Sequence, residues 1–280
     1  MKITAYTMLA LVAFAANSVL CRLALGAAAI DAASFSTIRL FSGVVMLLLI
    51  TVITTRKVSL PPLANLLSAF LLFLYAITFS FAYISLGAGT GALILFGSVQ
   101  ATMIIFAIVS GERPKFLEWA GLFLAITGLI YLVFPGLTAP PLISSFLMCT
   151  AGIAWGFYSL RGRGATDPLI NTTNNFILSL PFAFAVSLIP VGNIHLSAKG
   201  AFLAVLSGAF ASGIGYVIWY AALKGLTATR AATVQLTVPV LAALGGVILL
   251  SEKITTRLIF AAVLILGGVG LALFSRKFSS

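Results

Sequence analysis

Aromatic rings and uncharged polar groups lie inside the long apolar runs of this chain, where they could form the wall of a binding site. Two sets of rings recur at helical spacing, and each set would share one face of a helix: Tyr75, Phe79 and Tyr83, and Tyr216, Trp219 and Tyr220. Trp155 and Tyr158 are three residues apart, and the amides of Asn17, Gln100 and Gln235 lie in equally apolar surroundings. A phenol or an amide in hydrocarbon is costly unless it is hydrogen-bonded or hydrated. These residues therefore predict either a cavity lined by rings and amides or buried contacts between helices.

The alternatives differ from residue to residue. Rings near the end of a run, such as Tyr83 and Tyr158, also suit a belt at the membrane surface, and the amides also suit hydrogen bonds between helices. Arg39 lies inside a run, and a charge at the bilayer centre costs about 2.5–3.5 kcal/mol on insertion scales. Its side chain should therefore face protein or water, where it would orient a carboxylate or hold neighbouring carbonyl groups. Arg22, at the edge of a run, is expected to extend to the membrane surface.

The inventory of reactive side chains argues against an enzyme. The chain has one histidine, His195, and five acidic residues, which all fall in loops or at the ends of apolar runs. No Ser-His-Asp arrangement, HExxH motif or pair of carboxylates can be drawn from them, and the sequence has neither Cys/His metal spacing nor a P-loop. We therefore expect no catalytic residue, no cofactor, no metal and no direct use of ATP. Cys21 and Cys149 lie in apolar runs, where a structural disulfide is not expected.

The composition requires that most of the surface of the chain faces lipid. Of the 280 residues, 61% are hydrophobic and 8% are charged, whereas about a quarter of the residues of a soluble domain are charged. The apolar runs are unbroken rather than alternating, so helices are expected and a β-barrel is not. The sequence predicts an all-α integral membrane protein. We assign the net charge of +11 to cytoplasmic loops rather than to a nucleic-acid partner.

About ten runs are long enough for transmembrane helices, which need about 20 residues each. The predicted spans are Ile3–Leu25, Ser34–Ile53, Ala64–Leu86, Thr90–Ser110, Leu117–Phe134, Leu142–Leu160, Ile170–Ile189, Ala201–Leu223, Ala231–Leu250 and Leu258–Phe274. Of the sixteen basic residues, eleven fall on the side of the N-terminus, three on the opposite side, and Arg22 and Arg39 within or at the edge of spans. Because basic loops stay in the cytoplasm, we expect both the N- and the C-terminus there.

The second half of the chain repeats the first after a shift of 140 residues. The pair Glu112-Arg113 aligns with Glu252-Lys253, and each pair separates two apolar runs. Five spans in a unit would turn the second unit upside down, an arrangement common in secondary transporters. We predict two inverted five-helix repeats, at residues 1–135 and 142–280, with a linker at 136–141. Because Pro239 has no counterpart in the first unit, only one of helices four and nine is expected to carry a proline kink.

The same residues carry a resemblance to a known family. The stretch from Gly91-Ala92 to Gly111-Glu112-Arg113 and its counterpart Ala231-Ala232, Pro239 and Ser251-Glu252-Lys253 resemble the ten-helix EamA-type branch of the drug/metabolite transporter superfamily. Arg39 is similar to an arginine in the second helix of that family. The resemblance covers essentially the whole chain, and within the branch the chain resembles YddG-type exporters of aromatic amino acids.

The resemblance implies a secondary exporter of amino acids, aromatic and other neutral ones among them, with a central cavity between the repeats in a bacterial inner membrane. Rings would contact the apolar side chain of the substrate, while amides and an arginine would hold its zwitterionic head group. The candidate substrate-binding residues are Asn17, Arg39, Tyr75, Phe79, Tyr83, Gln100, Trp155, Tyr158, Tyr216, Trp219, Tyr220 and Gln235. The alternatives are an exporter of drugs or other small metabolites, a channel-like facilitator and a non-transporting scaffold. The expected partners are the small-molecule substrate and the lipid bilayer, and the oligomeric state stays open, with a monomer admissible.

Uniport is the expected mechanism, because no titratable group is predicted in the path. A proton-driven exporter generally uses an Asp, Glu or His within the membrane, and the acidic residues of this chain lie outside the spans or at their ends. Arginine does not lose its proton in proteins. Glu118, at the predicted cytoplasmic mouth of helix five, is the acidic residue that could be drawn into the path.

Overall fold

The computed structural model describes residues 2–55, 61–109, 111, 116–134, 139–162, 165–188, 194–223, 225–226 and 234–277. In these ranges the chain is helical, and the one β-type pairing is an isolated antiparallel bridge between Ile30 and Leu196. The predicted all-α class is confirmed. Of the residues that carry the resemblance, Glu112, Arg113, Ala231 and Ala232 lie outside the described ranges.

The helices follow the apolar runs of the sequence. They are α1 Lys2–Leu25, α2 Ala32–Thr55, α3 Leu66–Ala82, α4 Ala88–Val109, α5 Phe116–Val133, α6 Leu142–Gly162, α7 Pro168–Ser187, α8 Ala198–Leu223, α9 Val238–Leu250 and α10 Thr256–Lys277. A 3₁₀ turn, Leu63–Asn65, precedes α3, and α8 contains a π-helical segment, Leu206–Ile214. The described helix ends lie within four residues of the predicted ones; α9 begins at Val238, and the predicted start of this span, Ala231, lies outside the described residues.

Seven of the helical segments in the described ranges are long and apolar enough to cross a membrane: α1, α2, α3 with its preceding turn, α4, α6, α7 and α8. Three shorter apolar stretches lie in the remaining helices, at Trp119–Leu132, Val238–Leu250 and Thr256–Leu271. A helix of 20 residues is about 30 Å long, which matches the hydrocarbon thickness of a bilayer. The chain is therefore a multi-pass membrane protein.

Pro239 lies next to a break in the predicted ninth span. Val234 and Gln235 are helical, residues 236–237 form a turn, and Pro239 lies in the first turn of α9, where no intrahelical partner for its missing N–H is needed. Pro181 is the proline inside a helix, in α7. Pro181 leaves one backbone carbonyl of α7 without an N–H donor from its own position.

Polar residues cap the helices at their ends. The carboxylate of Asp31 accepts a hydrogen bond from the backbone N–H of Ser34 in the first turn of α2, at 2.8 Å. Asp167 caps α7 in the same way, and the hydroxyl of Ser197 caps α8. Such caps satisfy the free N–H groups of a first turn, which explains why acidic residues lie at span ends.

The bundle has two ends, because short connections make successive helices antiparallel. We call the end that holds Lys2 the proximal end, where Asn65 donates a hydrogen bond to Asn171 at 3.0 Å. The opposite, distal end holds the bridge between Ile30 and Leu196. Helices α5 and α10 pack chiefly against each other and α4 at the edge of the bundle, while the other helices surround its centre.

Candidate functional site

A small cavity lies at the centre of the bundle, between α1, α3, α4, α6 and α8. Its wall consists of Phe14, Asn17, Ser18, Tyr75, Phe79, Leu95, Phe96, Trp155 and Tyr216. The cavity has a volume of about 20 Å³, which is room for about one water molecule. The helices are therefore almost closed around it.

Aromatic rings close this cavity by touching one another. The ring of Trp155 lies 4.8 Å from that of Tyr75 and 5.1 Å from that of Tyr216, measured between centroids. Phe79 is 5.3 Å from Tyr75, and Phe14 is 5.9 Å from Tyr216. The rings are tilted or edge-on, as aromatic pairs prefer. Four helices thus contribute rings to one connected wall.

The cavity has one polar corner, where α1 meets the π-helical segment of α8. The side-chain oxygen of Asn17 accepts hydrogen bonds from the hydroxyls of Ser207 (2.7 Å) and Ser212 (3.4 Å). Both serines belong to Leu206–Ile214, and all three side chains are buried. A π-helical turn is rare and is often found at a functional site.

Arg39 lies behind the wall instead of in it. Its guanidinium donates to the phenol oxygen of Tyr75 (Nη2, 3.0 Å) and to the hydroxyl of Ser212 (Nε, 3.4 Å), and its central carbon lies 4.9 Å from the centroid of the Phe79 ring. The side chain is 2% exposed, and Nη1 has no hydrogen-bond partner among the residues that the structure describes. Within the same ranges the one ion pair is that of Arg22 with Glu252, so Arg39 has no acidic partner there. Contacts with rings compensate only part of the cost of burying a cation.

The remaining candidate residues lie around this centre at different depths. Three candidate rings lie directly behind the wall, because each contacts a ring that lines the cavity. Measured between ring centroids, Tyr83 lies 4.7 Å from Phe79, Tyr158 lies 5.4 Å from Trp155, and Trp219 lies 5.6 Å from Phe14. Gln100 is buried one turn beyond Phe96, and its amide nitrogen has no partner within the described ranges. Tyr220 and Gln235 are half-buried and do not line the cavity.

Sequence reasoning missed several residues of the site. Among the wall residues, Phe14, Leu95 and Phe96 look like ordinary packing in an apolar run. The polar run of α7 is a signal that the sequence does contain, since Thr172, Thr173, Asn174 and Asn175 are all buried. The amide of Asn175 lies 3.5 Å from the phenol of Tyr158, which connects this run to the aromatic wall.

Arg22 forms an ion pair at the distal end of α1. Its Nε donates to the carboxylate of Glu252 at 3.2 Å, and its Nη1 donates to the backbone carbonyl of Ile84 at 2.8 Å. The other oxygen of Glu252 accepts from the backbone N–H of Ala88, the first residue of α4, at 2.8 Å. The side chains are 24% and 22% exposed, so this pair is shielded more than a typical surface ion pair. We call these contacts the distal clasp, since they join α1, the turn after α3, and the loop after α9.

The chain is similar to transporters of one family. The model of the EamA-like transporter family matches residues 142–274. An uncharacterised protein of Pseudomonas aeruginosa is 48% identical over 270 residues, which are 96% of this chain and 94% of that protein. A protein of Salmonella typhimurium named a probable amino-acid metabolite efflux pump is 30% identical over 215 residues, covering 70% of this chain and 71% of its own length.

A solved crystal structure has the same fold. It superposes with a TM-score of 0.64 over 98% of both chains, at 17% sequence identity. The likeness concerns the fold alone, because the identity is low. Taken with the two relatives, with the apolar helices and with the family model, it leads to one conclusion: the chain belongs to the EamA-like transporters of the drug/metabolite transporter superfamily.

Proposed function

We propose that the protein is a secondary transporter that exports amino acids, aromatic and other neutral ones, in the manner of YddG-type exporters. The observation that carries this proposal is Arg39, a buried cation with a free donor at Nη1 and no acidic partner in the described part of the chain. A carboxylate is the group that such a guanidinium binds best, through two parallel hydrogen bonds. The substrate carboxylate would thus fill the place of the missing partner.

The zwitterion requires a second polar contact, and the polar corner supplies it. Asn17 and Ser212 share a hydrogen bond, and Ser212 also accepts from Arg39. The side-chain oxygens of Asn17 and Ser212 can accept hydrogen bonds from the ammonium group of the substrate. This position is close to the guanidinium of Arg39, because Ser212 contacts both Asn17 and Arg39. Both charged ends of an amino acid would then be held side by side, with Tyr75 turning to admit the carboxylate to Arg39.

The rings determine the preferred side chain. Tyr75, Trp155, Tyr216 and Phe14 offer faces and edges with which an aromatic substrate ring would pair as the protein rings now pair with one another. Cationic drugs would favour a carboxylate in the wall, and the wall that the structure describes contains none. This supports an amino-acid exporter over a multidrug exporter.

The size of the cavity supports alternating access. Pockets for small ligands have volumes of about 300–1,000 Å³, whereas this cavity has about 20 Å³. The walls must therefore separate before a substrate enters. We infer that residues 1–135 and 142–280 form inverted five-helix repeats with ten membrane crossings in all, and that they rock about the cavity. The match of the family model to residues 142–274 alone supports such a division.

Transport by uniport is proposed because no acidic or histidine side chain lines the described cavity. Glu118 lies in the first turn of α5, and its side chain is outside the described atoms. We place both termini in the cytoplasm of a bacterial cell, so that amino acids leave down their own gradient. Labelling of Lys253→Cys from outside intact cells, with Lys2→Cys protected, is the expected result for this orientation.

Substrate counterflow tests the proposed function. Purified protein in liposomes preloaded with one unlabelled amino acid should exchange it for the labelled form, and a screen of all twenty should give the fastest exchange for aromatic and other neutral ones. Liposomes without protein are the control. Exchange of none of the twenty would contradict the proposal and favour a non-transporting scaffold.

A further inference from the structure

A second and larger cavity lies at the distal end, on the far side of the distal clasp. It has a volume of about 260 Å³, and its wall includes Arg22, Gly87, Thr90, Glu252 and Lys253. Lys253 is exposed, so the pocket opens toward the distal surface. Two cations and one carboxylate thus line a space that approaches the size of a pocket for a small ligand. We call it the distal pocket.

The distal clasp separates this pocket from the central cavity. Ser18 lines the central cavity, and Arg22 follows it by four residues on the same face of α1. On α3, Phe79 lines the cavity and Tyr83 follows by four residues, where its carbonyl accepts from Arg22 at 3.3 Å. The partition is therefore about one helical turn thick, or about 5 Å.

We propose that the distal pocket is a second substrate site, which binds the zwitterionic head group of an amino acid by replacing the ion pair of Arg22 with Glu252. The inference rests on the proposed function, since it takes the same substrate class to a second site. Arg22 would bind the carboxylate of the substrate and Glu252 its ammonium group. Each charge of the clasp then exchanges one partner for another, and no charge is left unpaired.

Substrate in this pocket would also open the clasp. Glu252 ties the first residue of α4 through Ala88, and Arg22 ties the turn before it through Ile84. When both side chains turn to the substrate, the turn between α3 and α4 loses its links to α1 and to the loop after α9. A molecule with only one charge would leave either Arg22 or Glu252 without its present partner in a partly shielded site. The pocket therefore selects zwitterions.

The test compares three inhibitors of counterflow in vesicles of both orientations. They are an aromatic amino acid, its amide, which is only cationic, and its N-acetyl form, which is only anionic. In the wild type the amino acid should inhibit best from the distal face. In Glu252→Gln its inhibition from that face should weaken about tenfold, since one charged hydrogen bond is lost, while the N-acetyl form should become its equal. In Arg22→Gln, inhibition by the amino acid from the distal face should also weaken about tenfold, and the amide should become its equal.

Two further variants make the test secure. Gly246→Ala keeps every charge but places a methyl group 2.6 Å from the Oε2 atom of Glu252, so it should displace the carboxylate and weaken zwitterion inhibition in the same way. Arg257→Gln removes a cation at the same end that donates to the carbonyl of Phe134 and does not line the pocket. It should change inhibition by less than about twofold, as expected for a half-buried charge that lies outside the pocket.

Two outcomes would overturn the inference, and they differ from each other. An unchanged ranking of the three inhibitors in Glu252→Gln, Arg22→Gln and Gly246→Ala, with active wild-type counterflow, would contradict the distal site alone. Absence of wild-type counterflow with every amino acid would contradict the proposed function and the distal site together.

Discussion

Arg39 illustrates what one residue contributes to the account. Its side chain is buried, and it is held by one phenol, one hydroxyl and the faces of two rings. None of these groups is a carboxylate. A purely structural arginine would be expected to have a carboxylate or several carbonyls as partners. The incomplete coordination of Arg39 therefore favours a role in binding over a role in folding.

Removal of this charge should separate transport from stability. In Arg39→Gln, counterflow should fall by about a hundredfold, because two charged hydrogen bonds to the substrate carboxylate are lost. The thermal stability of the detergent-purified protein should stay equal or rise, since an uncompensated buried charge is gone. Arg39→Lys should give intermediate transport, because it keeps the positive charge and loses the two parallel N–H donors of the guanidinium. A variant that unfolds while the small remaining folded fraction transports normally would assign Arg39 a structural role.

The aromatic wall can be tested by comparing two tryptophans. Trp155 lines the cavity, whereas Trp219 lies behind Phe14. Trp155→Ala should raise the concentration of an aromatic amino acid needed for half-maximal counterflow about tenfold, through loss of a ring pair and of apolar contact. Trp219→Ala should have a smaller effect on this concentration. Equal effects of the two variants would contradict the assignment of the wall.

At the scale of helices, the sequence predicted positions well and interruptions poorly. Apolar runs give the helix ends because hydrophobicity and the end-capping residues are both local properties of the sequence. The π-helical segment Leu206–Ile214 is different, since it depends on how α8 meets α1 and α2. Likewise, the isolated Asn17 was visible as a candidate, but its partners Ser207 and Ser212 are about 190 residues away in the sequence. Small serines in an apolar run carry no signal of their own.

The crossing of α2 and α8 leads to a prediction about one glycine. A Cβ atom at Gly208 would collide with the backbone carbonyl of Arg39 and the hydroxyl of Ser42. Backbone cannot give way cheaply, so Gly208→Ala should destabilise the protein by about 1–3 kcal/mol, the range of overpacking. Thermal unfolding in detergent is the measurement.

Gly267→Ala on α10 is the matched control, because no atom lies within 4 Å of its added Cβ. It should be neutral or slightly stabilising, as alanine favours the helix over glycine. Gly208→Ala with the stability of the wild type would show that α2 and α8 are not in such close contact.

For the molecule as a whole, the composition determines the class of protein, whereas contacts between distant helices determine how far the cavity is closed. The scarcity of charge predicts a multi-pass membrane protein without any knowledge of packing. The degree of closure of the cavity and the pairing of Arg22 with Glu252 depend on helices that are distant in the sequence. The same holds for the distal pocket, whose wall combines Arg22 of α1, residues of the turn into α4, residues of α9 and residues that follow α9. Spacing along the chain does not reveal that these four segments meet.

The central claim is that the protein lets an amino acid equilibrate across the membrane through this cavity without an external energy source. The direct measurement is uptake of a labelled aromatic amino acid into liposomes that contain the purified protein, with no pH difference and no membrane potential. Uptake should proceed until the inner and outer concentrations are equal, and Arg39→Gln should slow it by about a hundredfold. Absence of uptake by the wild type, or accumulation well above the outer concentration when a proton gradient is imposed, would contradict the account.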